Sequence, residues 1–213
     1  MIHSITILGA GRVGTTLATA LAHAGAPVSI GARDAAAART AWSGPDVDIT
    51  DIPDAISRAD LIINATPGDT SLDRLTALEG ALAGRILVDV ANATARTADG
   101  LPGGLVYSDS SLGERLQASL PRTRVVKTLN TMLFSAMTAP AALGTSPTVF
   151  VSGDDVEAKS RVREMLRLLG WDDEWILDIG GIETARGTEA FALLVPSLLQ
   201  TLGFAPFALS IAR

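Results

Sequence analysis

The sequence predicts an α/β fold: a doubly wound, mostly parallel sheet followed by a small C-terminal α/β lobe. Three observations carry that reading. Short apolar, β-branched runs alternate with helical stretches from Ile5 to Leu129, the signature of successive βαβ units. The first run, Ile5-Thr6-Ile7-Leu8, passes directly into a glycine-rich turn and then an alanine-rich helix. Beyond Pro147, a strand, a helix and a second strand recur on a smaller scale before an apolar terminal helix.

The turn is Gly9-Ala10-Gly11-Arg12-Val13-Gly14, a G-x-G-x-x-G spacing set between a strand and the helix from Thr15 to Ala24. In that context each glycine has a reason. Gly9 allows the tight turn, Gly11 lets a pyrophosphate approach the backbone, and Gly14 lets the helix pack closely on the strand. The helix N-terminus then offers N–H groups and partial positive charge to phosphates. The first segment is therefore expected to be a Rossmann-type dinucleotide site.

Bulk properties exclude other classes. With 213 residues, a net charge of −6 and no basic stretch, the chain is not expected to bind nucleic acid. It has no cysteine, which removes disulfides, thiolate metal sites and cysteine nucleophiles. No His and carboxylate cluster has ligand spacing, so no metal is expected. No apolar run of about 18 residues occurs and the N-terminus lacks a basic leader, so a cytoplasmic protein without membrane contact is expected.

The exit of the second strand, Pro27 to Ile30, sets cofactor choice. An acidic residue there would hold a ribose 2′-OH; this chain has Gly31-Ala32-Arg33-Asp34. Arg33 is a permanent planar cation suited to a 2′-phosphate, and Ala32 leaves it room. Asp34 is either a displaced acidic partner or the N-cap of a helix from Ala35 to Trp42. Arg39, on that helix, is a weaker phosphate candidate. NADP is favoured over NAD.

Asp46 to Thr50 and Asp60 to Asn64 read as strands, with a short helix between them that carries Pro53 in its first turn. Ala65, Thr66 and Pro67 leave the fourth strand at the carboxyl edge, where such sheets bind ligands. A helix is expected from Ser71 to Leu82, then a strand from Ile86 to Val90, a flexible loop from Thr94 to Ser108 and a helix from Ser111 to Leu120. Asp89 either serves the nicotinamide end or ties down its loop. Asn92 belongs to the same strand exit. A sixth strand, Thr123 to Leu129, leads to Asn130, a candidate for orienting a polar ring substituent. Lys127 is expected to contact a polar group at the sheet end. Pro140 to Pro147 divides residues 1–139, the dinucleotide domain, from 140–213, a lobe for the substrate cleft and dimerisation. Ile182 to about Leu202 is expected to be one long helix kinked at Pro196, apolar enough to suggest a homodimer.

The residues Ile7-Leu-Gly-Ala-Gly-Arg-Val-Gly14, Ile30-Gly-Ala-Arg-Asp34, Val126-Lys-Thr-Leu-Asn-Thr131 and Glu183-Thr-Ala-Arg-Gly-Thr-Glu189 together resemble the F420-dependent NADP oxidoreductases over nearly the whole chain. The resemblance implies hydride transfer between NADP(H) and the deazaflavin coenzyme F420, bound in a cleft between the lobes. It places Gly9 to Val13 at the pyrophosphate, Ala32 and Arg33 at the 2′-phosphate, and Asn130 and Met132 near the stacked rings. The chain departs at Ala32, where the family often has a hydroxyl, and at Ala93, where it often has proline.

Hydride transfer between two aligned rings needs no acid, base or nucleophile from the protein, so no catalytic residue is assigned. His3, His23 and Tyr107 are poor proton donors by position. Two alternatives remain: an NADPH-dependent reductase of a flavin or a small imine or carbonyl, and a non-catalytic NADP(H)-binding sensor.

Overall fold

The computed structural model describes residues 4–212. Strands Ile5–Leu8 (β1), Val28–Gly31 (β2), Asp48–Thr50 (β3), Leu61–Asn64 (β4), Ile86–Asp89 (β5), Arg124–Thr128 (β8), Val149–Ser152 (β9) and Ile176–Gly180 (β10) form one sheet in the order β10-β9-β8-β5-β4-β1-β2-β3. Two further strands, Thr94–Arg96 (β6) and Pro102–Leu105 (β7), pair apart from it. Every pairing in the main sheet is parallel except β8 with β9. That exception has a local cause. Residues 129–148 contain only 3-10 turns and no crossover helix, so the chain returns antiparallel.

Alternate residues of the central strands feed two cores. Leu61, Ile63, Ile86 and Val88 join one, with the helices Arg12–His23 (α1) and Val156–Leu168 (α7). Ile62 and Leu87 join the other, with Ile56, Leu75, Leu82, Leu112 and Leu116. This period of two, apolar on both faces, is what a covered parallel sheet requires. The helices on the second face are Ile52–Ser57 (α3), Gly68–Thr76 (α4), Glu79–Leu82 (α5) and Leu112–Ser119 (α6). Ala35–Ala41 (α2) flanks β3. Side chains of Asp34, Asp51, Ser111 and Asp155 accept from backbone N–H groups three residues on; each such cap is worth about 1 kcal/mol.

Three elements differ from the sequence expectation. The helix expected from Ser71 to Leu82 is broken into α4 and α5, where Leu78 and Ala81 donate to carbonyls only three residues back, the tight geometry of a 3-10 turn. The loop expected from Thr94 to Ser108 contains the β6–β7 hairpin, turned at Gly100 with φ +76°, while Gly103 and Gly104 lie within β7. The single helix expected from Ile182 to Leu202 is a 3-10 turn, Ala185–Ala190 (α8), a second 3-10 turn and Val195–Leu202 (α9). Pro196 stands in the first turn of α9, where it needs no hydrogen-bond partner for its nitrogen, instead of kinking a continuous helix.

After α9 the chain returns. Leu133 donates to the Phe207 carbonyl, Met132 pairs with Ala208, and Leu209 donates to the Thr131 carbonyl. No helix among the described residues is long and apolar enough to cross a membrane.

Candidate functional site

Pairing register puts the strand ends in one row: Gly31, Leu8, Asn64, Asp89 and Lys127 are successive lateral partners. The residues that follow them open a cavity of about 1130 Å³ along the carboxyl edge of the sheet. It is lined by Gly9, Ala10, Gly11, Arg12 and Val13 after β1, by Ala32 and Arg33 after β2, and by Ala65, Thr66 and Pro67 after β4. Asn92, Asn130 and Met132 line it too. One cavity thus gathers the residues predicted to touch the cofactors, except Gly14 and the weaker candidates Arg39, Asp89 and Lys127. A Cβ at Gly14 would lie 1.9 Å from the Gly9 carbonyl oxygen, so Gly14 is a packing residue under the loop.

The other two glycines divide as their positions require. Gly9 has φ +110°, and a Cβ there would sit 2.8 Å from the Ala65 carbonyl oxygen; both facts demand glycine. A Cβ at Gly11 would meet nothing within 4 Å, so the backbone there is open to the cavity. The first helical bond of α1 is Thr15 N–H to the Gly11 carbonyl, 2.9 Å. The N–H groups before it have no partner within the helix.

Arg33 is exposed and makes no hydrogen bond or ion pair among the described residues, while Ala32 beside it is buried. Asp34 accepts from Ala37 N–H at 2.9 Å and is the cap of α2. Arg39 donates to the Ile49 carbonyl at 2.8 Å, and does not line the cavity. At the other end the walls are Met132, Leu133, Phe134, Met137, Ala192 and Val195. The Arg12 guanidinium lies 5.7 Å from the centre of the Phe134 ring, within reach of a cation–π contact. No His, Tyr or Lys lines the cavity among the described residues. His23 and Tyr107 stand outside it, and His3 lies outside the described residues.

Beneath this floor lies a polar cluster. The Lys127 ammonium is 2.8 Å from Asp89 and 2.8 Å from Glu189, with both Lys127 and Asp89 side chains fully buried. It also donates to the Ala91 carbonyl. Asp89 accepts from Asn64 Nδ2 (2.8 Å) and Ala91 N–H (3.2 Å). Glu189 accepts from the Leu112 and Gly113 N–H groups at the start of α6 (3.0 and 3.1 Å). Burial raises the Asp89 pKa, Lys127 pulls against that, and Glu189 adds to the rise. Burial alone would lower the Lys127 pKa, but Asp89 and Glu189 outweigh it and push it up. The ammonium is therefore protonated, held between two carboxylates.

The cluster reaches the walls. Asn64 Oδ1 accepts from Thr66 N–H and Oγ1 (3.2 and 2.6 Å). Asn92 and Asn130 bond reciprocally: Asn92 Nδ2 to the Asn130 carbonyl at 2.9 Å, Asn130 Nδ2 to Asn92 Oδ1 at 3.0 Å. Asn130 follows Leu129, the single non-glycine residue with positive φ (60°) among the described residues, and strain of this kind persists only where surroundings impose it. The sequence predicts Asp89 and Asn130 at strand exits and Lys127 within its strand, in contact with a polar group at the sheet end. Asn64 and Glu189 were missed. Asn64 had the same signal, a polar residue closing an apolar run; Glu189 closes the 183–189 motif, but nothing local points to its partners, which lie 76 and 77 residues away. No group of three metal-ligating side chains occurs among the described residues.

A mostly parallel sheet with a glycine loop at the first strand exit and an edge cavity defines a dinucleotide-binding α/β fold. Residues 4–93 match the family described as NADP oxidoreductase, coenzyme F420-dependent. A candidate F420-dependent NADP reductase of Arthrobacter sp. FB24 is 40% identical, with all of both chains aligned and a TM-score of 0.89. The chain belongs to this NADP oxidoreductase family. The metalloreductase STEAP3 of Rattus norvegicus is 34% identical over 195 residues, 91% of this chain and 37% of that protein; the chain thus spans little more than a third of that relative. An imine reductase of Streptomyces aurantiacus shares the fold at 19% identity, covering 93% of this chain and 62% of that one, with a TM-score of 0.63.

Proposed function

We propose that the chain transfers a hydride between NADP(H) and coenzyme F420 held together in the edge cavity. When bound, NADP(H) and F420 would supply the redox chemistry, one ring giving a hydride and the other receiving it. The chain's work is to bind, align and exclude water. The open backbone at Gly11 and the first turn of α1 suit a pyrophosphate. Arg33, unpaired at the second strand exit, suits the 2′-phosphate. Ala65, Thr66, Pro67 and Asn92 flank the path toward Asn130 and Met132, where the rings would stack.

The observation that carries this reading is the far wall. Met132, Leu133, Phe134, Met137, Ala192 and Val195 offer a planar partner an apolar seat and no proton donor. Carbonyl or imine reduction calls for a proton donor at the reacting group, whereas a deazaflavin or flavin ring can take up the hydride as a delocalised anion and draw its proton from water. The volume also exceeds the 300–1,000 Å³ typical of a site for one small ligand. Residues 1–139 would hold the dinucleotide and 140–213 would close the cleft. Leu193, Leu194, Leu202 and Phe204 are each 44–64% exposed, a surface suited to a second copy in a homodimer.

The test is absorbance at the F420 band when protein, NADPH and oxidised F420 are mixed. Bleaching that depends on NADPH and barely on NADH supports the reading; its absence, with NADPH still bound, overturns F420 as partner. The same apolar wall could seat a flavin as the second candidate ring, and the same assay with FMN decides between them.

A further inference from the structure

We propose that Lys127 is a positioning residue that sets the nicotinamide end of the cavity through Ala91, Asn92 and Asn130. The inference rests on the cavity taking NADP(H), with its nicotinamide toward Asn92 and Asn130. Burying one ammonium with two carboxylates is expensive, and an apolar filling of the same volume is often as stable. What the cluster supplies is direction. Both backbone polar groups of Ala91 end on it: the N–H on Asp89 and the carbonyl on Lys127. Ala91 and the next residue, Asn92, line the cavity, and Asn92 fixes Asn130 by its reciprocal pair.

The same cluster joins two more walls. Through Asn64, Asp89 is linked to Thr66. Through Glu189, Lys127 is linked to α8, which leads into Ala192 and Val195. Thr188, beside Glu189, accepts from Asn130 Nδ2 at 3.3 Å. One connected network therefore fixes the exits of β4, β5 and β8 relative to the C-terminal helices, and Lys127 is the only cation in it. Such networks hold geometry more strongly than separate pairs do.

Lys127→Met alone leaves two carboxylates facing each other and endangers folding. The informative variant is Lys127→Met/Asp89→Asn. Asp89 Oδ1 takes Asn64 and Ala91 N–H, while Oδ2 takes only Lys127; an asparagine can keep the first two contacts, and the buried net charge stays at one negative. Thermal unfolding first confirms that the variant folds. NADPH is then titrated by its fluorescence, and adenosine 2′,5′-bisphosphate, which lacks the nicotinamide, by calorimetry.

The expected result is an NADPH Kd raised about tenfold with the bisphosphate Kd unchanged within about twofold. A purely structural role would weaken both by one factor, and that result, or unchanged NADPH affinity in a folded variant, overturns the proposal. Wild-type protein that binds NADPH no better than the bisphosphate overturns it as well, since the nicotinamide end would then contribute nothing. Neither titration contains F420, so failure of the F420 assay is read separately and sinks only the hydride-partner reading.

Discussion

At its Arg33 end the cavity is walled by backbone and small residues that leave β1, β2 and β4 within a few positions of their strands. At its Met132 end it is walled by side chains from residues 130–137 and 192–195, set by contacts between segments far apart in the chain. The first end is built by local conformation: a positive φ at Gly9, an open backbone at Gly11, a helix start at Arg12. The second depends on Lys127, Asp89 and Glu189 holding three strand exits and α8 together. A dinucleotide cradle needs mainly N–H groups and space, which a loop supplies by itself. Placing a second ring against the first needs walls fixed relative to one another.

Breaking the long-range end gives the largest expected effect. Lys127→Met strands two buried carboxylates and should lower unfolding free energy by about 3–5 kcal/mol, read from urea denaturation. The pH dependence has a defined sign. Folding raises the Lys127 pKa above its ordinary 10.5, so its stabilisation is complete below that value and is lost as pH rises through the higher folded pKa. Wild type and variant should therefore converge in stability as pH rises through that folded value. A gap that does not narrow there contradicts a charged Lys127.

Breaking the local end separates packing from binding. Gly14→Ala puts a Cβ 1.9 Å from the Gly9 carbonyl oxygen and should cost about 3 kcal/mol of stability, with NADPH binding lost through the displaced loop. Gly11→Ala meets nothing in the protein. It should leave the unfolding midpoint in place while weakening NADPH about tenfold, because the new methyl occupies the pyrophosphate's approach. Equal destabilisation by the two would contradict their division of labour.

That division also explains what the sequence made legible. The strands, the glycine roles and the cap at Asp34 all depend on residues within a few positions of each other, and local spacing encodes them. Asp89 was visible as a polar residue near the end of an apolar run and Lys127 as a polar residue within a strand, yet their choice of partner was not. It depends on lateral register between β5 and β8 and on Glu189 reaching the start of α6. The broken terminal helix was hidden for a related reason. Its apolar pattern is continuous from Ala185 to Leu199, but tertiary contacts decide that residues 191–194 form a 3-10 turn between α8 and α9.

Arg33→Ala tests the local end more gently. Loss of one charge-assisted phosphate contact should weaken NADPH by about 2 kcal/mol and leave NADH nearly unchanged, measured by parallel titrations. Arg33 has no hydrogen-bond or ion-pair partner to release among the described residues, so stability should not change. Equal loss for both nucleotides would remove the 2′-phosphate role from Arg33.

The smallest effect is expected at a second link between α8 and α6, an exposed counterpart of the buried one. Arg186 Nε and Nη2 donate to both carboxylate oxygens of Glu114 at 2.6–2.9 Å, and Glu114 also pairs with the capping Ser111. The Arg186 contact holds the Glu114 carboxyl below its ordinary value of 4.5. Stabilisation from this pair is present above that value and is lost as pH falls through the lower folded pKa. Solvent screens the guanidinium, so Glu114→Gln should lower the unfolding midpoint by only about one to two degrees at neutral pH. The difference should close under acid conditions, where wild type is protonated too. NADPH affinity should stay within about twofold throughout, because this bridge touches neither Ala91 nor Asn92. If Glu114→Gln weakened NADPH as much as Lys127→Met/Asp89→Asn, then any loosening of α8 would suffice, and the alignment could not be assigned to the buried ammonium.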